Sequence, residues 1–227
     1  MTPRNPLGQA TSHRRAGRPT VELLSRERIL DEAFLLADTS GGGGFTIAAL
    51  AKNLDVQAPA IYNYFGSKAE LISAMRGQLA QRVDASAFDE RPWHEAIRPW
   101  AVSYVASLGS HPGTIAALAT LPIDAQPDSL DNYERIVASF LRDGYPEALI
   151  VPALVACENF IVGSALDALT PETMMSPGEH PERAPLLDSA ERAGRDRAAT
   201  AGVRPAEAAF EFGLAALIAG LRALGRD

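Results

Sequence analysis

The stretch TIAALAKNLDVQAPAIYNYFGSK, residues 46–68, decides how the chain is to be read. Thr46 has the short hydroxyl side chain of a helix N-cap. Ile47, Leu50, Ala51 and Leu54 follow at helical spacing and predict a helix with one apolar face. Asp55, Val56 and Gln57 interrupt that pattern. Pro59 then stands at the start of a second helix, where its missing N–H costs little, and Ile61 and Phe65 fall four apart. Two short helices on a three-residue turn make a helix-turn-helix. The second helix of that motif can lie in the major groove of DNA and offer its N-terminal side chains to base edges.

Working outward, residues 25–38 carry Ile29, Leu30, Ala33, Phe34 and Ala37 at three- and four-residue steps, which predicts a preceding helix. Gly41–Gly44 end it. No strand precedes these glycines and no Gly-Lys-Ser/Thr follows, so they read as a flexible connector rather than a phosphate loop. Ser67 caps a fourth helix, with Leu71, Met75, Leu79 and Val83 as its apolar stripe, linking the head to the rest. Residues 1–20 are rich in Pro, Arg, Gly, Ser and Thr and read as a flexible basic arm, whose Arg18 can reach a narrow minor groove.

Beyond a polar stretch at 84–92, helices are expected over 93–108, 114–121, 129–142, 146–169 and from 205 or 206 to the end. Residues 170–195, rich in Pro, Glu and Arg with weak periodicity, read as an irregular, mobile excursion. No segment has the alternation of a strand. The fold class is therefore all-α, with a basic arm at 1–20, a helix-turn-helix domain at 21–68 and a larger helical domain at 69–227. The last two long helices are apolar on more than one face. Phe210, Leu214, Leu217 and Leu221 are the expected interface of a homodimer that pairs these helices across a two-fold axis.

The composition supports this outline. The net charge of −7 divides into +2 over residues 1–80 (nine Lys and Arg against seven acids) and −9 over the remainder. Such an asymmetry suits a DNA-facing head on a body that repels phosphate. The single Cys157 can form no internal disulfide, and no N-terminal signal core is present, so a cytoplasmic chain is expected. The apolar runs at 148–166 and 208–224 contain Glu158, Asn159, Glu211 and Arg222, which argues for buried helices and against a membrane partner. The four histidines show no metal-like pairing and no nucleophile elbow occurs, so neither an enzyme nor a metal or other cofactor is expected. A helical ligand-binding protein lacking sequence-specific DNA binding is the alternative, because few bidentate base readers stand in the second helix.

The run APAIYNYFGSK, residues 58–68, closely resembles the recognition-helix signature of the tetracycline-repressor (TetR) family of bacterial transcription regulators, including the Ser-Lys that opens the next helix. The helix led by Trp93, the Ser-His and Gly of 110–113, and FEFGLAALIAGL at 210–221 are similar to the body of the tetracycline-binding members. The resemblance implies that residues 69–227 are a ligand-binding and dimerisation domain, and that the protein is a homodimer on double-stranded operator DNA, released by a small-molecule effector. DNA contacts are expected from Arg18, Thr46, Gln57, Pro59, Ala60, Tyr62, Tyr64 and Lys68, with Pro59 and Ala60 suited to thymine methyls and the polar side chains to phosphates or base edges. The chain also departs from the family: Ala48 and Ala58 stand where tetracycline-binding members carry base-reading Arg and Gln, and Asp55 replaces the usual turn glycine. Counted from Trp93, their magnesium-binding His falls near Leu118 and their tetracycline-gripping Asn near Trp100, so a magnesium chelate is not the expected effector. An apolar or aromatic effector is expected instead, in a cavity formed by Trp100, Tyr104, Leu118, Leu121, Phe140, Cys157 and Phe160.

Overall fold

The computed structural model describes residues 24–40, 45–115 and 127–226, and these contain helices and no strand. The head is built from α1 (Arg26–Ser40), α2 (Ile47–Asn53), α3 (Ala58–Tyr62) and α4 (Lys68–Ala80). The body follows as α5 (Ala87–Glu90), α6 (Trp93–Gly109), α7 (Pro127–Arg142), α8 (Glu147–Asp167), α9 (Pro185–Ala201) and α10 (Pro205–Leu224). Single 3₁₀ turns occur at Pro112–Thr114 and Pro181–Arg183. The glycine connector, the basic arm and most of the short helix expected at 114–121 lie outside the described residues.

Local chemistry sets the head. Thr46 Oγ1 accepts from the Ala49 N–H at 3.1 Å and Ser67 Oγ from the Glu70 N–H at 3.0 Å, so both expected N-caps satisfy a backbone donor that the helix itself leaves orphaned. Asp55, at the turn between α2 and α3, has φ 55° and is the one non-glycine residue in the left-handed region among the described residues. Ile29, Phe34, Leu50, Ile61 and Phe65 close into one core that continues through Leu71, Met75 and Leu79 of α4. Burying each such side chain contributes roughly 1.5–3 kcal/mol, so α4 is held by the head well past Lys68.

The body packs around α6, which lies against α8. Trp93 stacks on Phe140 with ring centroids 4.5 Å apart, and Tyr145 meets both rings edge-on. The inner face of α8, with Ile150, Leu154, Cys157 and Ile161, completes this core. Although α8 is long and apolar enough by length and composition to cross a membrane, that face is packed inside the body.

Two expectations need correction, and the burial of α10 bears on a third. The polar stretch at 84–92 contains α5, a single turn that inserts Phe88, fully buried, edge-on to Trp100. The excursion at 170–195 is not irregular throughout, because α9 begins at Pro185 and runs to Ala201, where Gly202 at φ 69° ends it. Its periodicity is weak because only Ala198 is buried. Finally, Leu214 and Leu221 are 1% and 7% exposed, seven residues apart on the side of α10 turned toward the body core. Phe210 and Leu217 are partly buried against that same core. The outer side of α10 instead presents Phe212, 74% exposed, with Ala216, Ala219 and Ala223.

Head and body meet along a polar seam. The Asp38 carboxylate, near the end of α1, accepts from the Gly113 N–H at 2.9 Å and lies 2.9 Å from His111 Nδ1. The His111 ring stacks on Phe34 at 4.1 Å. Gly113 sits so close to α1 that a Cβ there would fall 2.1 Å from the Ala37 carbonyl oxygen. Below this, Ser107 Oγ donates to the Leu79 carbonyl at 2.8 Å in a buried bond that ties α6 to the end of α4.

Candidate functional site

The first candidate surface is the outer edge of the helix-turn-helix. Of the expected DNA-contacting residues, Thr46, Gln57, Pro59 and Tyr62 are exposed and Ala60 is half-buried, while Arg18 lies outside the described residues. Two others are engaged within the head. The Tyr64 hydroxyl donates to the Leu24 carbonyl at 2.7 Å, and Lys68 Nζ donates to the Phe45 carbonyl at 2.6 Å with the ammonium over the Phe45 ring. Sequence reasoning missed Arg26. Its guanidinium lies 4.1 Å from the Phe65 ring centroid, donates to the Tyr64 carbonyl and pairs with Glu70, whose other oxygen accepts from the Gly66 N–H. This group fixes the exit of α3 against α1 and α4.

The second candidate is a cavity between α4, α6, α7 and α8, open on one side, with a volume of about 70 Å³. One wall is apolar and aromatic, with Trp100, Tyr104, Leu108, Ile115 and Ile136. Ser129, Asn132 and Tyr133, spaced with Ile136 along one face of α7, supply polar groups, and Arg76 enters from α4. Behind Tyr133, its hydroxyl donates to Glu158 of α8.

Burial dominates the electrostatics here. It pushes the Tyr104 phenol up to about 12, with the Glu158 charge adding to the effect. Burial likewise raises Tyr133, again reinforced by Glu158. Glu158 itself is raised by burial, opposed by the Tyr133 hydrogen bond and by Arg76. The phenolic protons therefore stay on the tyrosines, and the carboxylate serves as acceptor.

The expected lining residues fall in different places. Trp100 and Tyr104 line the cavity, whereas Phe140 packs on Trp93, Cys157 is buried in the core, and Phe160 stacks on Phe210 at 5.7 Å. Leu118 and Leu121 lie outside the described residues. Burial also pushes the Cys157 thiol up to about 12, which makes it an inert core residue. The polar end of the cavity was missed because its members come from three helices. The spacing of Ser129, Asn132, Tyr133 and Ile136 on α7 was its one signal in the sequence.

A three-helix head with an exposed recognition edge, joined through α4 to a helical body with an internal cavity, defines a helix-turn-helix transcription regulator. Residues 29–75 match the family described as bacterial regulatory proteins, tetR family, and residues 88–224 match the tetracyclin repressor-like C-terminal domain. The chain belongs to the TetR family of DNA-binding, non-enzymatic transcription regulators. It is 28% identical over 216 residues to the class C tetracycline repressor protein of Escherichia coli, across 87% of this chain and 90% of that one. It is 25% identical over 158 residues to the HTH-type transcriptional repressor DrrR1 of Streptomyces coeruleorubidus, across 69% of this chain and 58% of that one. Among solved structures, a possible TetR family regulator from Streptomyces coelicolor A3(2) superposes with TM-score 0.72 at 28% identity, covering 88% of this chain and 100% of that one.

Proposed function

We propose that the protein is a cytoplasmic repressor that binds operator DNA as a homodimer and is released when a small, aromatic effector enters the body cavity. The observation that carries this reading is the double duty of α4. Its Leu71, Met75 and Leu79 belong to the head core, while its Arg76 and Ala80 line the cavity. Whatever fills the cavity acts on a helix the head cannot leave behind. Effector binding releases DNA if the ligand prefers a spacing of the two heads that no longer matches half-sites about 34 Å apart.

On the DNA side, Thr46, Gln57, Pro59, Ala60 and Tyr62 meet the major groove, and Arg18 on the basic arm reaches the adjacent minor groove. Lys68 and Tyr64 act mainly by holding the recognition helix in place through Phe45 and Leu24. On the dimer side, the exposed Val151, Val155 and Leu166 of α8 and Phe212 of α10 give each subunit an apolar outer face. Small residues between them on α10 allow a second copy to approach closely. The names of two relatives, a tetracycline repressor and the repressor DrrR1, support repression over activation.

A gel shift of the full chain on the DNA upstream of its own gene tests the reading. A discrete complex of one dimer per site is expected, weakening steeply as salt rises. Binding that shows no preference over unrelated DNA of equal length would refute specific operator recognition.

A further inference from the structure

We propose that the effector is an aromatic acid, a flat apolar ring system carrying an oxyanion, with the anion held by Arg76 and the rings against Trp100. This inference rests on the effector cavity proposed above and names what that cavity selects. Among its described lining residues Arg76 is charged and none is acidic. Ser129, Asn132 and Tyr104 add hydroxyl and amide groups that can donate to a ligand's acceptor oxygens, while the Tyr133 proton is already held by Glu158. A guanidinium favours a carboxylate in particular, because its parallel N–H groups match two oxygens at once. The nearby carboxylate, Glu158, is not among the lining residues; it accepts the Tyr133 hydrogen bond and feels the positive charge of Arg76. A basic ligand would require that carboxylate on the lining itself.

The assignment also gives the effector a handle on the head. Arg76 follows Met75 on α4, and Met75 is 2% exposed within the head core. A force applied to the guanidinium is therefore applied to the helix that carries the DNA-binding edge. An apolar ligand resting only on Trp100 and Ile136 would push on α6 and α7 instead.

The test is calorimetric titration of the full chain with three matched probes: 2-naphthoate, 2-naphthamide and 2-naphthylmethylamine. The acid is expected to bind about tenfold more tightly than the amide, as one charge-assisted pair permits, and the amine most weakly. Arg76→Met should bring the acid down to the level of the amide and leave the amide unchanged, while Arg76→Lys should preserve the ranking. Equal binding of all three, or a preference for the amine, overturns the acid assignment while the cavity reading stands. An acid preference that survives in Arg76→Met overturns the role of Arg76. Binding of none of the three overturns the cavity reading and this inference with it. Should Arg76→Met fail to fold, the ranking in the unaltered protein and in Arg76→Lys still decides.

Discussion

Replacing Asp38 by Ala removes the acceptor shared by the Gly113 N–H and the His111 ring, each 2.9 Å away. The Asp38 and His111 side chains are 25% and 23% exposed, so solvent screens the pair only in part. A hydrogen bond to a charged group contributes about 1.5–3 kcal/mol. With partial screening and some water replacing the lost acceptor, a loss of about 2 kcal/mol at the low end of that range is expected. For a chain of this size each kcal/mol moves the thermal midpoint by about 2–4 °C, so the midpoint should fall by about 4–8 °C. Asp38→Asn retains an oxygen for the Gly113 N–H and should lose roughly half as much. Melts followed by far-UV circular dichroism, at one fixed protein concentration, measure both. A midpoint within about 1 °C of the parent for Asp38→Ala would refute the seam as a stabilising contact, since losing both hydrogen bonds should cost several degrees.

Phe212→Glu should give a folded monomer by light scattering, because the side chain lies on the outer face of α10, whereas Leu214→Glu should unfold the body. A dimer retained in Phe212→Glu would place the interface elsewhere. Glu158 is raised by burial above its ordinary 4.5, so its ionisation opposes folding: the folded state gains relative stability as pH falls through the raised value. Glu158→Gln should therefore be more stable than the parent at pH 7, with the gap narrowing toward pH 4.5, and an unchanging gap across melts at the two pH values refutes the assignment. Cys157, pushed up to about 12, should react with a maleimide at pH 7 only once the chain is unfolded in denaturant. Asp55→Ala should lose about 1 kcal/mol of stability in denaturant titration through its left-handed backbone, while Asp55→Gly stays close to the parent.

What the sequence shows clearly is what local chemistry decides. Thr46 and Ser67 announce their helices because N-caps depend on the side chain at one position and the backbone three residues on. Asp55 announces the turn because few side chains tolerate positive φ. Orientation is a different matter. α10 is apolar nearly all round, so periodicity cannot say that Leu214 turns inward and Phe212 outward; only the placement of α6 and α8 settles it. Phe88 looked isolated among polar neighbours, and its pocket beside Trp100 exists only once α5 and α6 pack. The polar end of the cavity combines Arg76, Tyr133 and Glu158, 57 and 25 residues apart along the chain, and nothing local links them.

The closeness of Gly113 to α1 bears on how such regulators can be recombined. A methyl group at that position would collide with the Ala37 carbonyl, so the body accepts a foreign head only if the backbone of its first helix ends along the same path. The graft must also bring a carboxylate to position 38, or the Gly113 N–H and His111 lose their shared acceptor. A chimera joined within α4 with both conditions met keeps this body's sensing under a new operator specificity. One that ignores them is expected to bind its operator without hearing the effector.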